Sequence, residues 1–434
     1  MMRTPVCLWT LVAGALAALP ALADGELLAG ASAVRITPEV GEDRAPVYLA
    51  GFGQDRTAES VHDDIWARAL VLSSAGERYA FVALDLIGYG GHRIEAATAQ
   101  VEKEVGIPAT HVVVSSTHTH HGPDAIGIWG PRPTRSGIDP AFLDRVDGAI
   151  LESVRQAAAA LVPVRLRAGE VDVPEVLRDS REPEVMDPVL RTLHFEKAGG
   201  ETVATVFVYA MHPEVLWSRN RVLTSDYPHF VRARAEGALG GTAIFFPGAV
   251  GGMQTPKVPE HDFASAEWVG NTLADRGVGS LQGAEWLVDP EVRFVTRRVS
   301  FPLENLMFRV AIGMGVIPGG KHLEYSERGL ARLFETPRVP SRLAAISIGP
   351  IRIATLPGEL FPELADPIRA HMRTGPKILL GLAGNELGYI LPREQWNPLD
   401  YEESMSLGPS TGPILVDALG EMLDELERGV DGEK

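Results

Sequence analysis

Runs of apolar and β-branched residues alternate along this chain with segments whose apolar positions recur at helical spacing. The pattern predicts strands at 70–72, 79–84, 112–115, 164–172, 189–196, 202–209, 242–246, 291–299, 343–356 and 377–382. It predicts helices at 91–104, 140–160, 226–239, 263–276, 361–373 and 411–428. Such alternation is typical of an α/β to α+β fold, in which layered mixed β-sheets are flanked by helices.

One apolar stretch, 303–317, needs a separate interpretation. It is interrupted by Glu304 and Arg309, and it is shorter than the about 20 apolar residues that a membrane-crossing helix needs. We therefore expect a core helix or a surface-exposed amphipathic helix. No Pro/Ser-rich linker divides the chain, so we expect one catalytic domain over residues 24–434.

The N-terminal segment has the pattern of a secretory signal peptide. Arg3 precedes an apolar run over 6–19, and Ala21-Leu22-Ala23 forms a small-residue cleavage site. The alternative, an uncleaved anchor, is disfavoured because the apolar run is short. We expect residues 1–23 to be removed and the protein to be secreted or periplasmic. Cys7, the only cysteine of the chain, would leave with them, which excludes disulfides and thiolate catalysis afterwards.

The charge balance restricts the possible partners. The formal net charge is −17 at pH 7, which argues against nucleic acid and against attraction to anionic lipid. We expect at most peripheral membrane contact and a small-molecule or lipid-like substrate.

The segment Thr117-His118-Thr119-His120-His121 directly follows a β-branched run and is the strongest chemical signal. Strand side chains repeat every two residues, so strand geometry would place His118 and His120 on one face at the strand's C-terminal edge. Two such imidazoles are explained either as two metal ligands or as a ligand and a base. His121 would point to the opposite face as a structural or rim residue.

Four further segments carry candidate chemistry, each with an ordinary structural alternative. His212 stands before Pro213 at the end of an apolar strand. Glu359 follows a Pro-Gly pair and is either a helix-cap residue or a site carboxylate. Tyr389 and Tyr401 are packing residues or site residues. The glycine-rich segment 246–256 is either a plain turn or a backbone cradle for a ligand.

Taken in order, these segments resemble the catalytic domain of the neutral/alkaline, non-lysosomal ceramidases. The resemblance extends from about residue 29 to about residue 425. We expect no counterpart of the C-terminal immunoglobulin-like domain that those ceramidases carry. The motifs that carry the resemblance are 33–38, Gly51-Phe52-Gly53, 61–64, 66–70 and 117–123.

The resemblance implies a hydrolase that cleaves a linear amide, such as that of an N-acylsphingosine, with zinc-activated water. It implies one zinc ion per chain, held by His118, His212, Glu359 and Tyr389. It also suggests His120 as a proton carrier and Tyr401 as a donor to the developing oxyanion.

This sequence departs from the family's pattern in the glycine-rich segment. Family members have Gly-Asp-Val-Ser-Pro, whereas this chain has Gly-Met-Gln-Thr-Pro at 252–256. Thr255 would replace the serine hydroxyl, but the aspartate is missing. The family's catalytic arginine falls at Arg178 or Arg181, and we favour Arg181. Two alternatives therefore stay open: a zinc hydrolase of this fold with a different amide or ester substrate, and a catalytically silent ligand-binding exoprotein.

Overall fold

The computed structural model describes residues 26–327 and 335–431, with side chains described up to residue 429. The expected signal peptide, residues 1–23, lies outside the described residues, as does Cys7.

The elements are numbered in chain order. The strands are β1 Leu28–Arg35, β2 Ser60–Val61, β3 Trp66–Ser74, β4 Glu77–Leu84, β5 Val112–Ser116, β6 Val162–Pro163, β7 Arg165–Asp172, β8 Leu177–Asp179, β9 Val189–Glu196, β10 Thr202–Tyr209, β11 Val222–Leu223, β12 Thr242–Pro247, β13 Gln254–Pro256, β14 Val292–Pro302, β15 Arg338–Ile348, β16 Ile351–Thr355, β17 Glu359–Leu360, β18 Lys377–Leu380 and β19 Tyr389–Ile390. The helices are α1 Gly91–Val105, α2 Pro140–Ala159, α3 Tyr227–Leu239, α4 Phe263–Ser280, α5 Leu306–Gly313, α6 Ala365–Ala370, α7 Tyr401–Ser404 and α8 Thr411–Asp431.

Three mixed sheets form the body of the protein. Their strand orders are β5-β4-β3-β1-β6, β12-β10-β9-β7 and β14-β15-β16-β18. Each sheet contains one parallel pair, β4 with β5, β10 with β12, and β16 with β18, while the other neighbours within these sheets are antiparallel. The layered mixed-sheet fold that the sequence predicted is confirmed.

The two-residue alternation of β3 shows how the sheets divide the core. Val71 faces a cluster formed with α1 and α2, whereas Leu70 and Leu72 face a cluster shared with the second and third sheets. The second sheet is covered on its other face by α3 and α4, and the third by α6 and α8. All three sheets therefore meet at a central apolar core, and each has its own helical cover.

Local sequence signals set several helix ends. The Asp139 side chain accepts a hydrogen bond from the backbone N–H of Ala141, and Pro140 occupies the first turn of α2. Gly106 ends α1 in the left-handed conformation. In place of the single helix expected at 361–373, the chain makes a 3₁₀ turn at Pro362–Leu364 and the short helix α6.

The apolar stretch 303–317 contains the eight-residue helix α5, which exposes Leu306, Met307 and Val310, and Met314 directly after the helix is exposed as well. Its Phe308 and Ile312 pack against the cluster beneath α8. The surface-exposed amphipathic interpretation is thus the one that the structure shows. Within the described part of the chain, none of the helices has both the length and the apolar character needed to cross a bilayer.

Candidate active site

The carboxyl ends of the parallel strands meet in one region and bring together the principal sequence candidates. His118 follows β5, His212 follows β10, and Glu359 follows β16. Tyr389 lies beyond β18, in the short strand β19 that pairs with β17. Mixed sheets place ligand sites at such strand ends, because the chain leaves the sheet there and its side chains converge.

His118 reaches the site in a different way from the one expected. Strand β5 ends at Ser116, and His118 adopts a left-handed backbone conformation with φ 69°. The expectation that strand alternation places His118 and His120 on one face is therefore wrong, because neither residue is in the strand. Their rings still lie 5.0 Å apart, centroid to centroid.

Backbone carbonyls orient the two imidazoles. His118 Nδ1 lies 2.5 Å from the carbonyl oxygen of Ile87, and His212 Nδ1 lies 2.9 Å from that of Gln254. A carbonyl only accepts hydrogen bonds, so Nδ1 of each ring carries the proton. In the neutral ring, Nε2 then presents a lone pair, which is the form that binds a metal ion.

Glu359 faces both lone pairs. Its Oε2 lies 3.3 Å from His118 Nε2 and 3.0 Å from His212 Nε2. The side chain is buried and makes these contacts rather than capping a helix, so the helix-cap alternative is wrong. Burial alone raises the pKa of Glu359, but charge attraction and hydrogen bonds from the His118 and His212 rings, when Nε2 carries a proton, hold it well below its usual range.

For the pKa of His118, burial and the neighbouring groups act in the opposite directions. Burial alone lowers its pKa, but the Glu359 carboxylate and the Ile87 carbonyl raise it above the ordinary value. Three electron-pair donors converge here, and their mutual repulsion disappears only when a positive charge lies between them. A proton or a metal cation would supply that charge, and the mixed nitrogen and oxygen donor set suits zinc.

Tyr389 lies beside Glu359 through the pairing of β17 with β19. Its buried hydroxyl donates to Met253 Sδ at 3.7 Å, a weak acceptor that a stronger partner would replace. Burial first, and then the Glu359 charge, raise the pKa of Tyr389 well above its usual value. Tyr389 thus lies beside the converging donors, and its role as a further ligand stays a prediction.

His120 is buried within the same group of rings. Its Nδ1 lies 3.2 Å from Glu214 Oε2, and nitrogens of His118, His120 and His212 lie within 4.8 Å of one another. This His triad is a second possible metal-binding set. Burial lowers the pKa of His120 to about 4 despite the Glu214 charge, so the ring is neutral at pH 7 and accepts a proton.

Gly51 and Arg56 support His120 from the adjoining loop. Gly51 has φ 101°, and a Cβ at this position would overlap the His120 ring. Arg56 donates to the backbone carbonyls of His120 and Ala50. The neighbouring His121 is wholly buried, with Nε2 3.4 Å from Asp226 Oδ2, outside the group of three rings.

Sequence reasoning gave Glu214 no role. It stands two residues after His212, in a His-Pro-Glu sequence at a strand exit. This proximity to a candidate ligand is the sequence signal that could have identified it. The 3.2 Å contact with His120 makes it the charge that would stabilise a protonated imidazole.

A cleft that is open to solvent is lined by His118, His120, Glu359 and Tyr389. Tyr401 lies at the mouth, 58% exposed, with its ring 6.1 Å from that of Tyr389. Burial of part of the ring and the nearby carboxylates raise the pKa of Tyr401 to about 12. The apolar lining includes Ile87, Ile126, Ile128, Trp129, Phe308, Ile317 and Met405.

The structure does not bring Thr255 or Arg181 into the lining of this cleft. Thr255 is buried and accepts a hydrogen bond from Arg178 Nε at 3.1 Å. Arg181 makes ion pairs of 3.0 Å with Glu402 and with Glu403, next to Tyr401. Catalytic roles for Thr255 and Arg181 stay predictions.

Comparison with known proteins gives a consistent picture at the level of fold. A scan against protein-family models found no match, and a search of curated proteins also found none. Among solved structures, neutral ceramidase from Pseudomonas aeruginosa is similar, with a TM-score of 0.75 and 18% identity over 92% of this chain and 74% of the other. A ceramidase complexed with C2 gives a TM-score of 0.76 and 17% identity over 93% and 75%. The chain has the fold of neutral ceramidase, as its motifs predicted.

Proposed function

We propose that this protein is a zinc-dependent hydrolase that cleaves a linear amide, with an N-acyl lipid of the ceramide type as the leading substrate class. The observation that carries the proposal is the convergence of His118 Nε2, His212 Nε2 and Glu359 Oε2 at 3.0–3.3 Å. These donors lie at the base of an apolar cleft in a protein with the neutral ceramidase fold.

His118, His212, Glu359 and Tyr389 would hold the metal. A zinc ion held there would polarise a substrate carbonyl and lower the pKa of water. The Ile87 and Gln254 carbonyls keep the two imidazoles in the tautomer that presents Nε2. The ligand set is thereby oriented before any metal binds.

His120 would carry the proton that hydrolysis must move to the leaving amine. It is neutral at pH 7 and can accept a proton, while Glu214 at 3.2 Å would stabilise the resulting imidazolium. Tyr401 at the mouth remains protonated at pH 7 and would donate a hydrogen bond to the oxygen of the scissile amide as charge develops there.

The expected secreted or periplasmic location agrees with an extracellular N-acyl lipid substrate. The apolar lining of the cleft supports a substrate with long aliphatic arms. The net charge of −17 argues against a substrate that must be drawn to the protein by its own negative charge.

The test combines metal analysis with turnover. We expect purified protein to hold about one zinc per chain and to release fatty acid from a fluorescent short-chain ceramide, with activity lost to a chelator and restored by zinc. Protein that binds no zinc despite intact His118 and His212 would overturn the metal assignment.

The placement of Thr255 favours a second candidate, a zinc hydrolase with another amide or ester substrate. Its hydroxyl group contacts Arg178 and does not line the cleft. Thr255 replaces the serine of the ceramidase family, so the cleft lining lacks the hydroxyl group that the resemblance predicts there. Zinc-loaded protein that ignores ceramide but hydrolyses another member of an N-acyl or ester panel would support this candidate.

A further inference from the structure

A second cavity adjoins the cleft. Three residues, Ile126, Ile317 and Glu386, line both spaces. We call the second cavity the side cavity. Since these three residues line both spaces, the side cavity lies directly beside the cleft.

The side cavity is mainly apolar. Helix α5 contributes Ile312, and the segment after it contributes Ile317 and Leu323. Leu387 and Leu407, two buried residues of the apolar cluster beneath α8, also line the cavity. Such a space accepts an aliphatic chain, because burial of each methylene contributes about 0.8 kcal/mol.

At the junction, where Ile126, Ile317 and Glu386 line both spaces, Glu386 is the one polar residue of the three. Its Oε1 accepts a hydrogen bond from the Gly388 N–H at 2.9 Å, but its Oε2 is buried and has no hydrogen-bond partner among the described residues. Leaving a buried polar atom unpaired is costly, so such atoms are found where a ligand or water completes the bonding.

Gly88 makes room for the Glu386 carboxyl group. A Cβ at Gly88 would lie 2.6 Å from Glu386 Cγ and 2.8 Å from Oε2. Any side chain at position 88 would therefore displace Glu386 from the junction. The glycine keeps the carboxyl group between the two spaces.

We propose that Glu386 is a specificity-determining residue that hydrogen-bonds a hydroxyl group of the substrate, on the aliphatic chain that enters the side cavity. A hydroxyl group both donates and accepts, so it satisfies Oε2 whether the carboxyl group is ionised or protonated. This inference rests on the proposed function and deepens it, because it assigns one residue, Glu386, to the recognition of a hydroxyl group of a ceramide-type amide.

The kinetic experiment compares two substrates that differ in one group, N-hexanoyl-2-aminododecan-1-ol and N-hexanoyldodecylamine. We expect the native protein to favour the hydroxylated amide about ten- to a hundredfold in kcat/KM, mainly through KM. Glu386→Leu should abolish this preference and retain turnover of the amide without the hydroxyl group. An unchanged preference in Glu386→Leu would overturn the proposal.

Glu363→Leu is the matched control. Glu363 also has a buried carboxyl oxygen without a hydrogen-bond partner, and it lines neither space. We expect this variant to keep the native preference. Equal loss of preference in both variants would show a general structural effect and would count against a specific role for Glu386.

A binding measurement separates this inference from the proposed function. Calorimetry with 2-aminododecan-1-ol and dodecylamine, neither of which can be hydrolysed, should show tighter binding of the amino alcohol to the native protein. Glu386→Leu should bind the two equally. If no amide is hydrolysed but this difference persists, the proposed function fails and the role of Glu386 stands. Equal binding by the native protein would overturn the role of Glu386.

Discussion

The base of the cleft and its mouth are built differently. At the base, His118, His212 and Glu359 are buried at strand exits. At the mouth, Tyr401 is 58% exposed on the four-residue helix α7, and Phe308 of the short helix α5 also lines the cleft. The proposed metal ligands are therefore held by the three-sheet body, whereas the proposed substrate-facing groups lie on short elements at the surface.

This difference separates two kinds of function. Groups that must hold a fixed geometry gain from rigid strand ends, since small displacements are costly for coordination and catalysis. Groups on short surface elements can change with little effect on the core. We expect substitutions at the base to remove metal, and substitutions at the mouth to change turnover or selectivity while metal is retained.

The largest effect should come from His118→Ala. Loss of one of three converging donors should abolish zinc binding and reduce turnover to background, as measured by elemental analysis and amide hydrolysis. His194→Ala is the control, because His194 is also buried but hydrogen-bonds Thr205 in the second sheet. A His118→Ala protein that keeps a full complement of zinc would contradict the distinction between base and mouth.

Tyr401→Phe should have the next largest effect. Removal of one hydrogen bond to a developing oxyanion typically lowers kcat about 10²- to 10³-fold, and zinc content should not change. Tyr79→Phe is the control, since Tyr79 lies near the opposite end of β4 from the site. Full activity of the Tyr401→Phe protein would remove this phenol from the mechanism.

The side cavity offers a pH-dependent test at His92. Burial, followed by the nearby positive charges of His322, Arg93 and Lys321, lowers its pKa to about 4 from the usual 6.5. The unfolded state therefore binds more protons between these values, and this contribution to stability is lost as pH falls from about 6.5 to about 4. His92→Gln should weaken the pH dependence of the urea midpoint over that window. An identical dependence in both proteins would refute this.

The smallest effect should come from the exposed face of α5. Leu306→Gln combined with Met307→Gln should change the free energy of unfolding by no more than about 0.5 kcal/mol, since both side chains already contact solvent. Urea unfolding measures this, and Leu343→Ala in the buried third sheet should cost about 2–5 kcal/mol for comparison. A large loss in the surface variant would show that α5 is buried by a partner.

Strands and long helices could be predicted because their periodicity is local. The alternation around Leu70, Val71 and Leu72 correctly predicted a strand, and the predicted helix at 140–160 corresponds to α2 at Pro140–Ala159. The predicted helix at 361–373 divides into a 3₁₀ turn at Pro362–Leu364 and the short helix α6 at Ala365–Ala370. Single 3₁₀ turns are frequent at helix ends, and composition does not distinguish them from an α-helical turn.

The candidate site could be predicted only in part, because it depends on contacts between residues that are far apart in the sequence. Glu359 and His212 are 147 positions apart, so spacing alone could not distinguish a site carboxylate from a helix cap. The resemblance to the ceramidases indicated that Glu359 is a site carboxylate. Glu214 and Glu386 were missed as functional candidates because their significance depends on what faces them, a histidine ring in one case and a shared cavity wall in the other.

The orientation of His118 and His212 by main-chain carbonyls has a consequence for how the sequence can diverge. A carbonyl is present at positions 87 and 254 whichever amino acid occupies them, so no particular neighbouring side chain has to be retained to aim the imidazoles. Substitutions can accumulate around the site while its geometry persists. A shared fold at only 17–18% identity is the outcome that such an arrangement permits.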